Sequence, residues 1–444
     1  MEGPHVRAPL PGSEGERILE RLGRVLYPGL AHDLGPFVIR RKEGSLIEDV
    51  DGNVFLDLIS AMASVPLGAA NERILKAAWE AHTTIGLEDS HFYAHEYMLP
   101  LAEELIRIAP PGIARVDIAL NGTEAVETMI RFMRRATGRP IVIGFMGGYH
   151  GEAGTAGAIG AETSDLAMGY RALMPGFVHV PYPNPYRTPF VARAGGTGDG
   201  TVDYLRDHLL FHAVDPREVA GIVIEPVLGA GGCVAPPDAF WTALRALCDE
   251  YGVLLGVDEV KCGYGRTGTM FAVERWGIAP DLMALGKAMG GGVMPIGAVL
   301  GTEAAMDFDD VSTGSTWSWF PASCAAALET LAIFREEPVL ENVRALQDAG
   351  AEDLAALAAR FDAIGDVRSV GCFQAIELVR DRVTKERDSD LQGRLARGMA
   401  ERGVLADSAS TSLNLQPSLV LEPERLREAY GVVGEVLATL TGGG

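Results

Sequence analysis

Lysine is scarce in this chain of 444 residues, which has 38 basic residues but only five lysines, at positions 42, 76, 261, 287 and 385. Arginine supplies nearly all of the positive charge, so a position that keeps lysine is one where an amine able to lose its proton could be needed. Lys261 and Lys287 lie in one glycine-rich region. This concentration indicates where amine chemistry should be sought.

Cysteine is also rare, and its spacing excludes two kinds of site. The five cysteines are scattered and form no CxxC pair, so neither a disulfide framework nor a zinc site is expected. We predict no metal site and expect the thiols to be small buried groups. Cys262 differs from the other four cysteines because it lies in the same glycine-rich region as the two lysines.

Long apolar runs and excess positive charge are both missing. No uninterrupted stretch of about 18 apolar residues exists, which excludes a membrane-spanning helix. The first 24 residues lack the apolar segment of a signal peptide, so we predict a cytoplasmic protein. The formal net charge of −22 argues against nucleic acid as a partner, because a phosphate backbone repels such a surface.

Short apolar segments alternate with helical patterns through the middle of the chain. This alternation predicts an α/β fold in which a mainly parallel sheet is covered by helices. In such sheets, ligands bind at the carboxyl ends of the strands. The predicted strands are 115–120, 140–145, 177–180, 220–225, 253–258, 282–286 and 295–300.

The pattern changes after about residue 336. Long helices are predicted over 340–360, 391–402 and 423–441, with a short strand pair around 371–378. These elements predict a smaller α+β domain.

The first predicted strand leads into Asn121-Gly122-Thr123-Glu124 at the start of a predicted helix. Glycine lets the backbone approach a ligand, threonine offers a hydroxyl, and a helix amino end presents free N–H groups, so this segment can cradle a phosphate. The same residues can also begin an ordinary capped helix. Both interpretations stay open at this point.

Two later strands end in groups that suit a pyridoxal phosphate (PLP) site. One strand ends in Asp258-Glu259, where a carboxylate can keep the ring nitrogen of PLP protonated and so make the ring an electron sink. The next leads into Lys287 and a glycine cluster, where desolvation favours the neutral amine that attacks an aldehyde. The alternatives are a structural acidic pair and a solvated surface lysine.

The GxGxxG pattern at 263–268 is a fingerprint of dinucleotide binding. Its context argues against that function, since the preceding strand ends in two acids that would repel a pyrophosphate. The residues after it do not begin a convincing helix.

Five motifs in this order resemble the class III (ω-amino acid) aminotransferases, a branch of the fold-type I PLP enzymes. The resemblance runs from about residue 44 to residue 421. It rests on NGTEAVE (121–127), FMGGYHG (145–151), IEPVLGAGG (224–232), VDEVKCGYGRTG (257–268) and LGKAMGGG (285–292).

The resemblance implies a large domain with a seven-stranded, mainly parallel sheet and a smaller α+β domain built from the N- and C-terminal parts. The implied division is an N-terminal segment 1–70 that packs with the small domain, a large PLP-binding domain 71–335 and a C-terminal small domain 336–444. Carried over residue by residue, the resemblance places Gly122 and Thr123 at the cofactor phosphate. It places Tyr149 and His150 at one face of the ring and Val260 at the other face.

The resemblance also assigns roles to the charged residues. Asp258 would meet the ring nitrogen, with Glu225 as a nearby acid. Lys261 would lie near the phenolic oxygen, and Lys287 would be the amine that condenses with the aldehyde.

The resemblance also implies a homodimer with shared active sites. In Gly314-Ser315-Thr316, the hydroxyl of Thr316 would reach the cofactor phosphate of the neighbouring subunit, with Ser315 beside it. The segment 180–190 further resembles 4-aminobutyrate-type transaminases and related amino-acid racemases.

Three departures from the family pattern bear on the substrate. Lys261 replaces a usual glutamine, and it could contact the cofactor's phenolic oxygen as a cation or turn away to a surface carboxylate. Trp317 and Trp319 could wall a pocket or pack at a dimer interface. The stretch 414–419 lacks the arginine that binds an α-carboxylate in many members, which leaves that mode of recognition open.

The function predicted from the sequence is PLP-dependent transfer of an amino group from an amino acid or amine, including β-, ω- or D-amino acids, to a keto acid. Lys287 and Asp258 are the predicted catalytic residues. A racemase, epimerase or aminomutase on the same fold is the nearest alternative. An NAD-dependent oxidoreductase and a non-catalytic acidic binding protein are the alternatives from other classes.

Overall fold

The computed structural model of the chain describes residues 1, 3–33, 35–164, 170–190, 200–408 and 411–442. The chain divides into two compact units. One unit is Glu72–Val343, and the other combines Met1–Asn71 with Arg344–Gly444. Below they are called the large unit and the small unit.

Strands in the described ranges are numbered along the chain. They are β1 (Ile39–Glu43), β2 (Leu46–Asp49), β3 (Val54–Asp57), β4 (Arg115–Ala119), β5 (Ile141–Met146), β6 (Phe177–Pro181), β7 (Val219–Ile224), β8 (Leu254–Asp258), β9 (Leu282–Leu285), β10 (Gly297–Gly301), β11 (Ile364–Val370), β12 (Phe373–Asp381), β13 (Glu386–Arg387), β14 (Val404–Leu405) and β15 (Leu413–Leu415).

Helices in the same ranges are numbered in the same way. They are α1 (Ser13–Val25), α2 (Pro28–Asp33), α3 (Ser60–Ala63), α4 (Glu72–Thr84), α5 (Met98–Ile108), α6 (Gly122–Thr137), α7 (Gly154–Ile159), α8 (Tyr170–Leu173), α9 (Gly200–Tyr204), α10 (Asp238–Tyr251), α11 (Glu303–Met306), α12 (Pro321–Glu336), α13 (Val339–Arg360), α14 (Ser389–Ala400) and α15 (Pro423–Thr441). None of them combines the length and the apolar character that a bilayer crossing needs.

The large unit contains a seven-stranded sheet in the order β4-β10-β9-β8-β7-β5-β6. Strand β10 is antiparallel to both of its neighbours, and every other pair of neighbours is parallel. The prediction of a mainly parallel seven-stranded sheet is therefore confirmed, with each predicted strand within two residues of an observed one.

Helix α6 shows how the sheet is covered. The side chain of Asn121 caps the helix by accepting the Glu124 N–H at 3.0 Å. Its fully buried Met133 lies over glycines of two strands, since a Cβ on Gly221 of β7 or Gly256 of β8 would collide with Met133. Strand β7 is buried along its whole length, as expected for a central parallel strand covered on both faces.

The small unit joins the two ends of the chain in one sheet of order β1-β2-β3-β14. Strand β14, from the C-terminal part, runs parallel to β3, and the Leu56 N–H donates to the Gly403 carbonyl at 2.8 Å. A second sheet is formed by β11, β12 and β13, and β15 pairs with β12. The predicted long helices and strand pair correspond to α13, α14, α15 and β11–β12.

One helix differs in kind from what its pattern indicates. The spacing over 201–212 predicts an α-helix, but α9 continues into a π-helix at Leu205–Ala213. Over two turns, an apolar pattern cannot separate a period of about 3.6 residues from the wider π period.

Candidate active site

Loops that follow several strands of the large unit meet at one edge of the sheet. Strands β4, β5, β7, β8 and β9 run in the same direction, so their carboxyl ends share that edge. There they enclose a cavity of about 150 Å³. Its lining residues are Asn121, Gly122, Thr123, Tyr149, His150, Gly151, Glu225, Asp258, Val260, Lys261 and Lys287.

The amino end of α6 contributes an anion-binding surface to the cavity. The first hydrogen bond within the helix runs from the Ala125 N–H to the Asn121 carbonyl, so the N–H groups of Gly122 and Thr123 precede it. A Cβ on Gly122 would lie 2.6 Å from Val260 Cγ1, which means that a side chain there would press into the cavity wall. The positive end of a 16-residue helix and a bare backbone favour a phosphate at this point.

Gly151 lines the cavity and was missed by the sequence reasoning. Its φ of +123° lies in a region that only glycine enters readily, and a Cβ there would sit 2.5 Å from Thr123 Oγ1. Any side chain at this position would therefore displace Thr123 from the amino end of α6. The signal available in the sequence was the three glycines around Tyr149-His150.

Asp258 ends β8 and forms a buried pair with His150. The His150 Nδ1 atom lies 2.7 Å from Asp258 Oδ2, and the side chains are only 1% and 3% exposed. The second carboxylate oxygen accepts the Val260 N–H at 2.9 Å. Burial by itself lowers the pKa of His150, but the hydrogen bond and charge of Asp258 outweigh it, so the pKa is raised above its usual 6.5.

Glu225 follows β7 and uses its carboxylate to hold two loops. One oxygen accepts the Tyr149 N–H at 2.8 Å, and the other accepts the Gly229 N–H at 2.9 Å. Burial is the largest influence on its pKa and raises it. Glu225 therefore anchors the backbone of Tyr149 at the cavity.

Lys287 follows β9 in a strained backbone conformation. Its φ of +43° is unusual for a residue with a side chain, and such strain is concentrated at functional sites. The preceding Gly286 permits a close approach to α6, because a Cβ there would lie 3.0 Å from the Gly122 nitrogen. The Lys287 Nζ atom lies 5.8 Å from the centre of the Tyr149 ring.

The environment of Lys287 favours its neutral form. Burial lowers its pKa from 10.5 to about 8, and the positive charge of Lys261 acts in the same direction. The charges of Asp258 and Glu225 oppose this shift without cancelling it. An amine with this pKa has a substantial nucleophilic fraction near neutral pH.

Lys261 points into the cavity rather than to the surface. It is 6% exposed, and within the described residues its Nζ atom has no hydrogen-bond partner. The interpretation in which Lys261 turns away to a surface carboxylate is therefore wrong. The buried Nε2 atom of His150 likewise has no partner in the part of the chain that the structure describes.

Ser315 and Thr316 do not line the cavity. Ser315 belongs to a turn in which its N–H donates to the Ser318 hydroxyl at 2.9 Å, and that hydroxyl donates to Glu124 at 3.1 Å. Thr316 is exposed. The turn is thus hydrogen-bonded to the first turn of α6, from outside the cavity.

The two tryptophans have different environments. Trp319 is 2% exposed, and its Nε1 donates to the Gly297 carbonyl at 2.7 Å, so it packs inside the large unit and is neither a pocket wall nor an interface residue. Trp317 is 51% exposed and packs edge-on against Phe320. Trp317 can still form part of a pocket wall or of a dimer interface, whereas Trp319 can do neither.

Two other features of the glycine-rich region carry structural roles. Residues 263–268 form consecutive turns and lead into a short 3-10 helix at Ala272–Trp276, so the GxGxxG pattern does not open a helix. Cys262 is fully buried, and its thiol donates to the Val227 carbonyl at 3.1 Å. Burial raises the pKa of Cys262 well above its usual value, which leaves the thiol unreactive.

Comparison with known proteins identifies relatives along nearly the whole chain. Residues 30–437 match the class-III aminotransferase family. An alanine/serine racemase of Pyrococcus horikoshii is 34% identical over 456 residues, covering 100% of this chain and 94% of the racemase. A 4-aminobutyrate aminotransferase of Escherichia coli is 31% identical over 430 residues, covering 95% of this chain and 98% of that protein.

A solved structure is similar over the same extent. It is a taurine:2-oxoglutarate aminotransferase of Bifidobacterium kashiwanohense in complex with PLP and glutamate, with a TM-score of 0.88 and 26% sequence identity. The similarity covers 96% of this chain and 98% of that one.

The residues of the cavity fit the PLP that this family uses. Each part of PLP has a matching group in the cavity. The amino end of α6 can bind the phosphate, Asp258 can accept a hydrogen bond from the protonated ring nitrogen, and the neutral amine of Lys287 can condense with the aldehyde. The buried Nζ atom of Lys261 is satisfied only when a bound group brings an acceptor to it. With the fold, this donor set and the family match in agreement, the chain belongs to the class III aminotransferases and is a PLP-dependent transaminase.

Proposed function

We propose that Lys287 and Asp258 are the catalytic residues of this transaminase and that the other lining residues hold the cofactor between them. The observation that carries the proposal is the convergence of a desolvated amine, a buried carboxylate and a helix amino end in one cavity. Bound PLP supplies an aldehyde that captures the amino group and a cationic ring that accepts electrons from the substrate carbon.

The polar residues act on protons at defined atoms. The neutral Lys287 Nζ would take the proton from the substrate carbon as a general base and, as a general acid, would deliver it to the carbon derived from the cofactor's aldehyde. Asp258 holds a proton at the ring nitrogen, and the hydrogen bond from His150 keeps that carboxylate oriented. Lys261 supplies a positive charge to the phenolic oxygen, where a neutral glutamine is usual in the family.

The remaining residues position the cofactor. Gly122 and Thr123 would bind its phosphate, and Tyr149 and Val260 would hold its ring from opposite sides. Glu225 supports this arrangement indirectly, through its hydrogen bond to the Tyr149 N–H.

We also propose a homodimer in which the turn containing Ser315 and Thr316 completes the phosphate site of the neighbouring subunit. The exposed position of Thr316 outside its own cavity supports this. The large PLP-binding domain would be 71–335, with 336–444 and the N-terminal segment 1–70 in the small domain. The five cysteines are unpaired, which favours a reducing cytoplasmic location.

The proposed amino donors extend beyond L-α-amino acids to β-, ω- and D-amino acids, with a keto acid as acceptor. Support comes from the stretch 414–419, which lacks the arginine that holds an α-carboxylate in many members. A panel of amine donors assayed with one keto acid tests this. Activity confined to L-α-amino acids would contradict it.

A racemase activity is the second candidate, because a relative 34% identical over the entire chain is an alanine/serine racemase. Incubation of the holoenzyme with one pure amino-acid enantiomer and no keto acid separates the two functions. Loss of optical purity without keto product supports racemisation. Conversion of the cofactor to its amine form with release of keto product supports transamination.

The assignment of Lys287 is tested by reduction of the holoenzyme with borohydride followed by peptide mapping. The cofactor mass is expected on the peptide that contains Lys287, and with five lysines in the chain the site is unambiguous. Lys287→Ala is expected to abolish turnover without unfolding the protein, whereas the matched control Lys76→Ala keeps full activity. Cofactor mass on another lysine would overturn the assignment.

A further inference from the structure

A second buried amine lines the same cavity as the catalytic one. The side chain of Lys261 is 6% exposed, and its Nζ atom has no hydrogen-bond partner among the described residues. An ammonium group with three unsatisfied donors is costly to bury, so this arrangement persists only if its charge is used.

The surrounding backbone makes room for this side chain. A Cβ on Gly229 would collide with Lys261 Cδ and would lie 3.3 Å from Cε, so the bare backbone of Gly229 receives the lysine stem. The Gly229 N–H is in turn held by Glu225 at 2.9 Å. The position of the Lys261 amine is therefore set by a fixed loop and not by a flexible surface.

Several charged and titratable groups interact with Lys287. The buried His150 imidazole is one of them, and Lys261 is the cation that lowers the pKa of Lys287. The carboxylates of Asp258 and Glu225 and the thiol of Cys262 act to raise the pKa of Lys287. Burial and the charge of Lys261 act to lower it. Without Lys261, burial alone would have to offset two carboxylates.

We propose that Lys261 also acts on the catalytic amine: it is a fixed buried cation, seated against Gly229 in the cavity that Lys287 lines, and it disfavours a second positive charge at Lys287. The proposal rests on the assignment of Lys287 as the catalytic amine. It gives Lys261 a second effect, on the protein's own amine, besides its contact with the phenolic oxygen. A neutral glutamine at the same position can donate a hydrogen bond but cannot exert this effect.

The test measures the acid strength of Lys287 directly in the cofactor-free, full-length enzyme. Trace acetylation over a range of pH, quantified by mass spectrometry for each lysine peptide, gives a titration midpoint for Lys287. The wild-type midpoint is expected near pH 8. In Lys261→Gln and in Lys261→Met, removal of the nearby charge is expected to raise the midpoint by about one unit.

A second readout follows the rebinding of PLP to the same protein. A midpoint one unit higher leaves roughly one tenth of the neutral amine near pH 7, so the absorbance change on PLP addition should be about tenfold slower in Lys261→Gln. Lys261→Arg keeps the charge and should keep the midpoint. Lys76→Gln removes a lysine that is 75% exposed and should change neither readout.

The outcomes separate a charge effect from a packing effect. A Lys261→Gln midpoint equal to that of the wild type would overturn the proposal, as would a Lys261→Arg midpoint raised as far as that of Lys261→Gln. The first readout uses the cofactor-free protein and the second follows PLP binding without turnover, so both are independent of the transaminase assay. If borohydride mapping found the cofactor on a lysine other than Lys287, that result would refute the proposed function instead.

Discussion

Asp258→Asn isolates the charge of the carboxylate at the centre of the site. Asparagine has nearly the same shape, so the substitution leaves no cavity. The substitution removes a carboxylate that has two buried partners. Asp258 Oδ2 lies 2.7 Å from His150 Nδ1, and Oδ1 accepts the Val260 N–H. An asparagine has one acceptor oxygen and can satisfy only one of these two donors.

The expected loss of stability follows from these contacts. Breaking a buried ion pair by removing one partner costs about 3–5 kcal/mol, but a retained neutral hydrogen bond reduces the loss to about 1–3 kcal/mol. This loss depends on pH because the pKa of His150 in the folded protein is raised above 6.5. The stability that the charged His150 gains from Asp258 is fully present below pH 6.5 and fades as the pH rises through the pKa of the folded state.

Thermal unfolding of the cofactor-free proteins at about pH 6 and about pH 9 checks this reasoning. Asp258→Asn should melt lower than wild type by roughly 1–3 °C at the acidic pH and by less at the alkaline pH. A difference that is equal at both pH values, or larger at pH 9, would refute the argument. The variant should also retain PLP yet lose about two to three orders of magnitude in turnover, and near-normal turnover would contradict the proposed role of Asp258.

Two further substitutions test the surroundings of the site. Burial raises the pKa of Glu259 from 4.5 to about 8, so between these pH values the folded state holds a proton there that the unfolded state has released. Its contribution to stability is therefore fully present below about pH 4.5 and is lost as the pH rises to about 8. Glu259→Gln should flatten the fall in melting temperature between about pH 5 and pH 8, and an unchanged slope would be inconsistent with this. Met133→Ala should lower the free energy of unfolding by about 2–5 kcal/mol in denaturant titrations, because it opens a cavity over Gly221 and Gly256, whereas the exposed Met146→Ala should change it by less than about 0.5 kcal/mol.

The local sequence was sufficient to predict the strands of the large unit and most of the residues that line the cavity. Buried parallel strands read as apolar runs, and the residues that follow such runs emerge at the carboxyl edge of the sheet, so Asp258 and Lys287 could be placed before the structure was known. The rarity of lysine marked the same region independently.

Side-chain direction and pairing were decided only by the tertiary structure. His150 and Asp258 are 108 residues apart in the chain, and no local pattern records that they share a hydrogen bond. The orientation of Lys261 was open in the sequence because it depends on the space above Gly229, and the need for glycine at position 151 depends on Thr123. Periodicity determines which face of an element is buried, whereas contacts across the fold determine what each buried polar atom meets.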